Sequence, residues 1–254
     1  MVGDYINTTG VCVMRFLLGS VLLLGVGTGF LSAQTEKPAK VLFLVGGLYH
    51  DYDQLPRTLA AHLQTRLKGR VSVDFTITKD LNTLRREELS RYDAVMINVC
   101  EQTPLSPEQK QGFLAAVSDG LPVIAMHCTF WSFGDWPDFK QVLGAFVPGH
   151  DPFGPFCLQT ARPEFPTLKG VPPTFEVTDE PYIVNDRDPS MSVLVRTCQN
   201  LQNRSGSEPE VWTKLYGKGK IFAITLGHDA QAQADTNYLT LLTGGLLWAL
   251  DRSN

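Results

Sequence analysis

The sequence predicts an α/β protein with a parallel, doubly wound sheet in its first half and an extra β-rich segment in its second. Three observations carry this. Short apolar runs alternate with helix-patterned segments from Lys40 to Gly144, the order that builds βαβ units. Several of those runs are apolar throughout rather than alternating, as strands covered on both faces must be. From Gly149 to Lys218 the pattern changes to turns and short strands.

The elements follow in order. MRFLLGSVLLLGVGTGFLSAQ, Met14 to Gln34, reads as a secretory signal peptide: Arg15 is basic, Phe16 to Phe30 is apolar, and Ala33 is the small residue before cleavage. The apolar run is short and broken by glycines, so no lasting membrane span is expected. The organisation is therefore residues 1–33 as signal peptide, with Met14 as a candidate true start, 34–39 as linker and 40–254 as one domain. KVLFLVGG is the first strand. QLPRTLAAHLQTRLKG is a helix stopped by Gly69. VSVDFTIT and DAVMINVC are strands flanking a short helix or turn, LNTLRREELSRY. LSPEQKQGFLAAVSDG is the clearest helix, with Ser106 as N-cap, Pro107 at its first position, Gln109 completing a capping box and Gly120 ending it. LPVIAMHC is the fourth strand, and WPDFKQVLG is a short helix. FCLQTARP, TFEVTDEPYIV, SVLVRTC and VWTKLYGKG are strands of the second half. KIFAITLG returns to a buried strand, and TNYLTLLTGGLLWALDR closes the chain as a helix.

The net charge is −4 and no Lys/Arg stripe is present, so nucleic-acid binding has no support. Four cysteines follow the signal: Cys100, Cys128, Cys157 and Cys198. Their spacings match no zinc motif. Export permits disulfides, and buried free thiols or one disulfide is the expectation.

The chain after the signal has five histidines, and three of them precede aspartate: His50–Asp51, His150–Asp151 and His228–Asp229. Ligands of doubly wound sheets bind beyond the carboxyl ends of the strands. His50, His127 and His228 fall at such ends, and His150 lies in a turn. Imidazole there supplies a metal ligand or a base near neutral pH. The aspartates can orient it, bind a ligand, or cap the helices that follow. His62 falls mid-helix and is structural or exposed. Glu180, beside a turn, can bind metal or substrate. Trp131, Phe133, Trp136, Phe153 and Phe156 flank the site, and aromatic faces there suit sugar rings. Cys128 follows a strand, where some α/β hydrolases carry a nucleophile, but AMHCTFW lacks the small residues of a tight elbow.

KVLFLVGGLYHD, YDAVMINV, LPVIAMHC, GHDPFGPF, TDEPY and YGKGKIFAITLGHD, with the helix ending LLWAL, resemble in kind and order the ThuA-like (trehalose-utilisation) family of the class I glutamine amidotransferase-like superfamily. The resemblance covers most of Lys40 to Arg252. It implies a flavodoxin-like three-layer α/β/α fold with a mostly parallel central sheet. It implies a site near His50, His127, His150, Glu180 and His228, and a link to oxidised (3-keto) disaccharides and glycosides. Members of the family typically lack the amidotransferase Cys-His-Glu triad.

The expectation is an exported, periplasmic or extracellular protein acting on a small carbohydrate. His150, His228, Asp151 and Asp229 are the catalytic candidates. His50, Asp51, Trp131, Phe153 and Glu180 are the substrate-binding ones. His127, His150 and His228 are candidate ligands of a divalent metal such as zinc. The alternatives are a non-catalytic glycan-binding module and a Cys128-dependent amidotransferase-like hydrolase.

Overall fold

The structure, a computed structural model, describes residues 37–198 and 206–253. The expected signal peptide lies outside the described residues. Among those described, no helix is long and apolar enough to cross a membrane.

The first half alternates as the sequence predicts. Its strands are β1 (Ala39–Gly47), β2 (Val73–Thr78), β3 (Ala94–Cys100) and β4 (Val123–Met126). Between and after them run the helices α1 (Leu55–Leu67), α2 (Arg86–Leu89), α3 (Pro107–Asp119) and α4 (Pro137–Leu143). The second half contains β5 (Phe146–His150), β6 (Gly154–Thr160), β7 (Thr174–Asp179), β8 (Tyr182–Asn185), β9 (Ser192–Thr197), β10 (Pro209–Tyr216) and β11 (Gly219–Ile224). The helices α5 (Ala230–Ala234) and α6 (Thr236–Ala249) close it.

Nine strands form one sheet in the order β2-β1-β3-β4-β11-β10-β9-β6-β7. The first five are mutually parallel, and the rest extend the sheet antiparallel. β5 and β8 pair separately. This is the flavodoxin-like fold, with a parallel core and a β-rich second half.

Alternate residues of β1 serve opposite layers, as a period of two requires. Val41, Phe43 and Val45 join Leu59, Leu63 and Leu242 in one core, while Leu42 and Leu44 join Phe113, Val117 and Val142 in the other. β3 and β4 are buried at every position. The Ser106–Gln109 capping box forms as expected and contributes on the order of 1 kcal/mol.

Four expectations need correction. TFEVTDEPYIV is not one strand but two, in different sheets, because Pro181 has no N–H to give a ladder. The fourth strand stops at Met126, and His127 to Phe130 turn in a short 3₁₀ segment. The four cysteines form two disulfides rather than one or none, Cys100–Cys128 and Cys157–Cys198. Phe133, Trp136 and Phe156 are core residues and not part of a cleft rim, at 1%, 2% and 6% exposure. Phe133 and Trp136 pack with Phe113 and Phe139 beneath α3 and α4.

Candidate functional site

Three parallel strands, β1, β4 and β11, deliver histidines beyond their carboxyl ends, and β3, between β1 and β4, ends there in Cys100. β1 ends in Gly46 and Gly47, both at positive φ, and the chain turns from there to reach His50. A Cβ on Gly47 would sit 2.0 Å from the Cys100 carbonyl oxygen. Only glycine lets this loop lie so close to the end of β3. Beyond β4, His127 adopts φ 48°. It, and not Cys128, occupies the strained residue of the strand-to-helix turn. Beyond β11, Gly227 at φ 114° precedes His228, and a Cβ there would lie 2.8 Å from the Tyr238 hydroxyl oxygen. His150, the last residue of β5, and Glu180, between β7 and β8, complete the group.

These residues converge. The ring centroids of His50, His127 and His228 are 4.9, 5.0 and 5.4 Å apart, and one ligand atom from each lies within 4.8 Å of the others. Glu180 stands among the imidazoles: its Oε2 is 3.1 Å from His228 Nδ1 and 3.6 Å from His127 Nε2, and its Oε1 is 3.5 Å from His150 Nε2. The cleft over them holds about 490 Å³, and Tyr49, Trp131, His150, Tyr182 and the Cys100–Cys128 pair also line it. Tyr49 and Trp131 meet edge to face, with centroids 6.3 Å apart.

His127 is fixed from behind. Its Nδ1 lies 2.8 Å from the Thr225 carbonyl oxygen, so Nδ1–H donates there and Nε2 keeps its lone pair. The Tyr182 hydroxyl is 3.3 Å from that Nε2. The Thr225 hydroxyl in turn donates to the fully buried Glu210 carboxyl, which burial pushes well above the usual range. Burial, with the neighbouring His50, lowers His127 to about 3. Burial and then His228 lower His50. The Glu180 carboxylate raises His228. For Glu180, burial alone would act upward, but contact with His228, His127 and His150 takes the net shift down.

His127 makes a pH prediction. Its folded pKa lies below its unfolded value, so the folded protein refuses a proton that the unfolded chain accepts. Its contribution to stability is complete above about pH 6.5 and is lost as pH falls from there toward about 3. His127→Gln should therefore flatten the loss of stability between about pH 7 and about pH 5, measured by urea unfolding of chelator-treated protein.

Asp179 and Tyr182 are not among the sequence candidates, although TDEPY contains both. Asp179, 2% exposed, accepts the backbone N–H groups of Gly227 (2.7 Å), Glu180 (2.8 Å) and His228 (3.3 Å). It thus ties the Glu180 loop to the His228 loop. Burial raises its carboxyl to about 6, against those hydrogen bonds. A buried carboxylate in a turn leaves no periodic pattern, so only its place beside Glu180 could have marked it.

The other candidates fall as follows. Phe153 is 43% exposed, with its ring 5.3 Å from His228. His62 lies on α1, away from the cleft. Asp51 and Asp229 are backbone caps: Asp51 accepts from Asp53 and Gln54, and Asp229 accepts from Ala232. The backbone carbonyl of Asp151, not its carboxylate, meets His150 Nδ1 at 2.9 Å. The His-Asp repeats are thus three histidines at strand ends, and the carboxylates of Asp51 and Asp229 serve the backbone while Asp151 meets its own histidine through its carbonyl. Cys128, bound in a disulfide, offers no free thiol.

A metal is tested by the donor set. Three imidazoles within ligating reach of one another, one of them with its second nitrogen pinned to a carbonyl, and an adjacent carboxylate form a borderline donor set that suits a divalent first-row metal. His50, His127 and His228 fit such an ion as ligands. His150 lies at the cleft wall and faces Glu180, outside that triad.

The family profile described as ThuA, trehalose utilisation, matches residues 40–249. A comparison with curated proteins returns no match. Among solved structures, a ThuA-like protein from Parabacteroides merdae superposes with a TM-score of 0.69 at 24% identity, covering 84% of this chain and 90% of that one. A ThuA-like protein from Bacteroides uniformis gives 0.71 at 18% identity, covering 87% and 95%. A GH42 β-galactosidase from G. stearothermophilus gives 0.55 at 14% identity, covering 85% of this chain but 30% of that one. At these identities the structural likeness speaks for the fold.

Proposed function

The chain belongs to the ThuA family, in the context of carbohydrate utilisation, and from that premise we propose that it is an exported enzyme acting on oxidised (3-keto) disaccharides or glycosides. The single observation that carries the reading is the convergence of His50, His127 and His228, from the carboxyl ends of β1, β4 and β11, around Glu180 from the turn between β7 and β8. In this reading His50, His127 and His228 hold a divalent metal such as zinc. When bound, that ion would supply Lewis acidity toward a sugar carbonyl.

The chain's own residues do the rest. The proton beside the 3-keto group is acidified by the carbonyl. Glu180 removes it, and His150, with Nε2 3.5 Å from Glu180 Oε1, passes a proton between carboxylate and solvent. Loss of the C2 proton from a 3-keto-glycoside expels the group at C1, and returning a proton instead isomerises the sugar. Trp131 and Tyr49 offer aromatic faces to the apolar side of the ring, and Phe153 does the same near His228.

Export fits a signal-like leader and two disulfides, which persist in oxidising compartments. The test is turnover of 3-keto-glycosides by metal-loaded protein, followed by release of the C1 group. Turnover that falls at least 100-fold in His228→Ala supports the reading. Sugar binding without turnover, insensitive to chelation, would favour a glycan-binding module instead.

A further inference from the structure

The same cleft holds a second donor set. Cys100, Cys128 and His50 all line it, and one ligand atom from each lies within 4.8 Å of the others. We propose that reduction of the Cys100–Cys128 disulfide creates a Cys₂His site for a thiophilic cation of the zinc class, sharing His50 with the histidine cluster.

The positions of all three residues are held by contacts other than the S–S bond. The Leu48 N–H donates to the Cys100 carbonyl at 3.0 Å, and Gly47 packs on that same carbonyl, so the His50 loop is tied to Cys100. The turn bearing Cys128 is tied to β3 by two buried hydroxyls. Thr129 Oγ1 donates to the Ile97 carbonyl at 2.9 Å and accepts from the Val99 N–H at 3.1 Å. Ser132 Oγ donates to the Val99 carbonyl at 3.0 Å and accepts from the Glu101 N–H at 2.9 Å. The two Cα atoms are 5.0 Å apart. Opening the disulfide therefore leaves two thiols side by side, facing the imidazole.

A dithiol reductant attacks one sulfur through its thiolate and closes to its own disulfide. The Cys100–Cys128 bond takes up two electrons and two protons, and both residues become thiols. A cation then displaces the two thiol protons and binds two thiolates and one imidazole, leaving its fourth position open to the cleft. Thiolate softness selects zinc or copper(I) over magnesium or calcium.

The probe is cobalt(II) alone, added to the untagged protein stripped of metal by a chelator, before and after reduction by a dithiol, both reagents being removed first. The reduced, folded protein should develop a thiolate-to-cobalt charge-transfer band at about one equivalent, which zinc abolishes. The oxidised protein should lack the band. Cys128→Ser should abolish it, His50→Ala should weaken cobalt binding at least tenfold, and the double variant Cys157→Ser/Cys198→Ser should retain it. Unfolding on reduction, seen by circular dichroism, overturns the proposal. So does a reduced, folded protein without the band, or a band that survives Cys128→Ser or vanishes in the double variant. The readout is an absorbance of thiolate and not turnover, so failure here leaves the sugar chemistry untouched, and the reverse also holds.

Discussion

Replacing Glu180 by Gln is expected to lower kcat/KM on a 3-keto-glycoside by about 10²–10⁴-fold while changing stability by less than about 1 kcal/mol. Three distances explain the size of the effect. Glu180 is the carboxylate that stands within 3.6 Å of His127, 3.5 Å of His150 and 3.1 Å of His228. An amide of the same shape fills the space but takes no proton. The loss should lie in kcat rather than KM, because the aromatic wall that receives the sugar is unchanged. The same variant removes the carboxylate that raises His228, so the His228 titration, followed by NMR, should move down. Full activity in Glu180→Gln would remove Glu180 as the base.

The largest effect on the architecture is expected from Asp179→Ala. Three backbone N–H groups lose their acceptor, that of Gly227 in a buried place and those of Glu180 and His228 in half-buried ones. A buried orphan costs about 1–3 kcal/mol and a half-buried one less, so unfolding free energy should fall by about 2–3 kcal/mol. The site should loosen as well, because the two loops that Asp179 joins carry Glu180 and His228. Metal affinity should therefore drop at least tenfold even below the unfolding temperature. Asp179→Asn separates these effects: one amide oxygen cannot serve three donors, yet no charge is buried. It should cost less stability than Ala and still weaken metal binding. Undiminished metal binding in both variants would make Asp179 structural only.

Much of this fold is legible in the sequence because it rests on local physics. The apolar runs of β1 and β4, and that of β3 broken by Asn98, are buried on both faces. Ser106, Pro107, Gln109 and Gly120 mark α3 at both ends. Strand ends and glycines likewise mark where His50, His127 and His228 emerge. Long-range closure is not legible. The reach of Asp179 to Gly227 spans 48 residues and depends on how the edge of the sheet returns to its middle. The pairing of Cys100 with Cys128 depends on β3 lying beside β4. The Asp of each His-Asp pair invites a role toward its histidine, but a capping side chain has the same sequence appearance as an orienting one. For Asp51 and Asp229 the nearby N–H groups win. Aromatic residues are ambiguous for a similar reason. Trp131 and Trp136 look alike in sequence, yet one borders the cleft and the other is buried under α3.

The central claim is that the histidines at the strand ends form one metal site, and the direct test is elemental mass spectrometry of untagged protein beside His127→Ala. The account predicts about one divalent metal ion per chain, retained through desalting and lost in the variant. Protein that stays folded yet holds no metal, even after incubation with zinc, manganese or nickel, would contradict it.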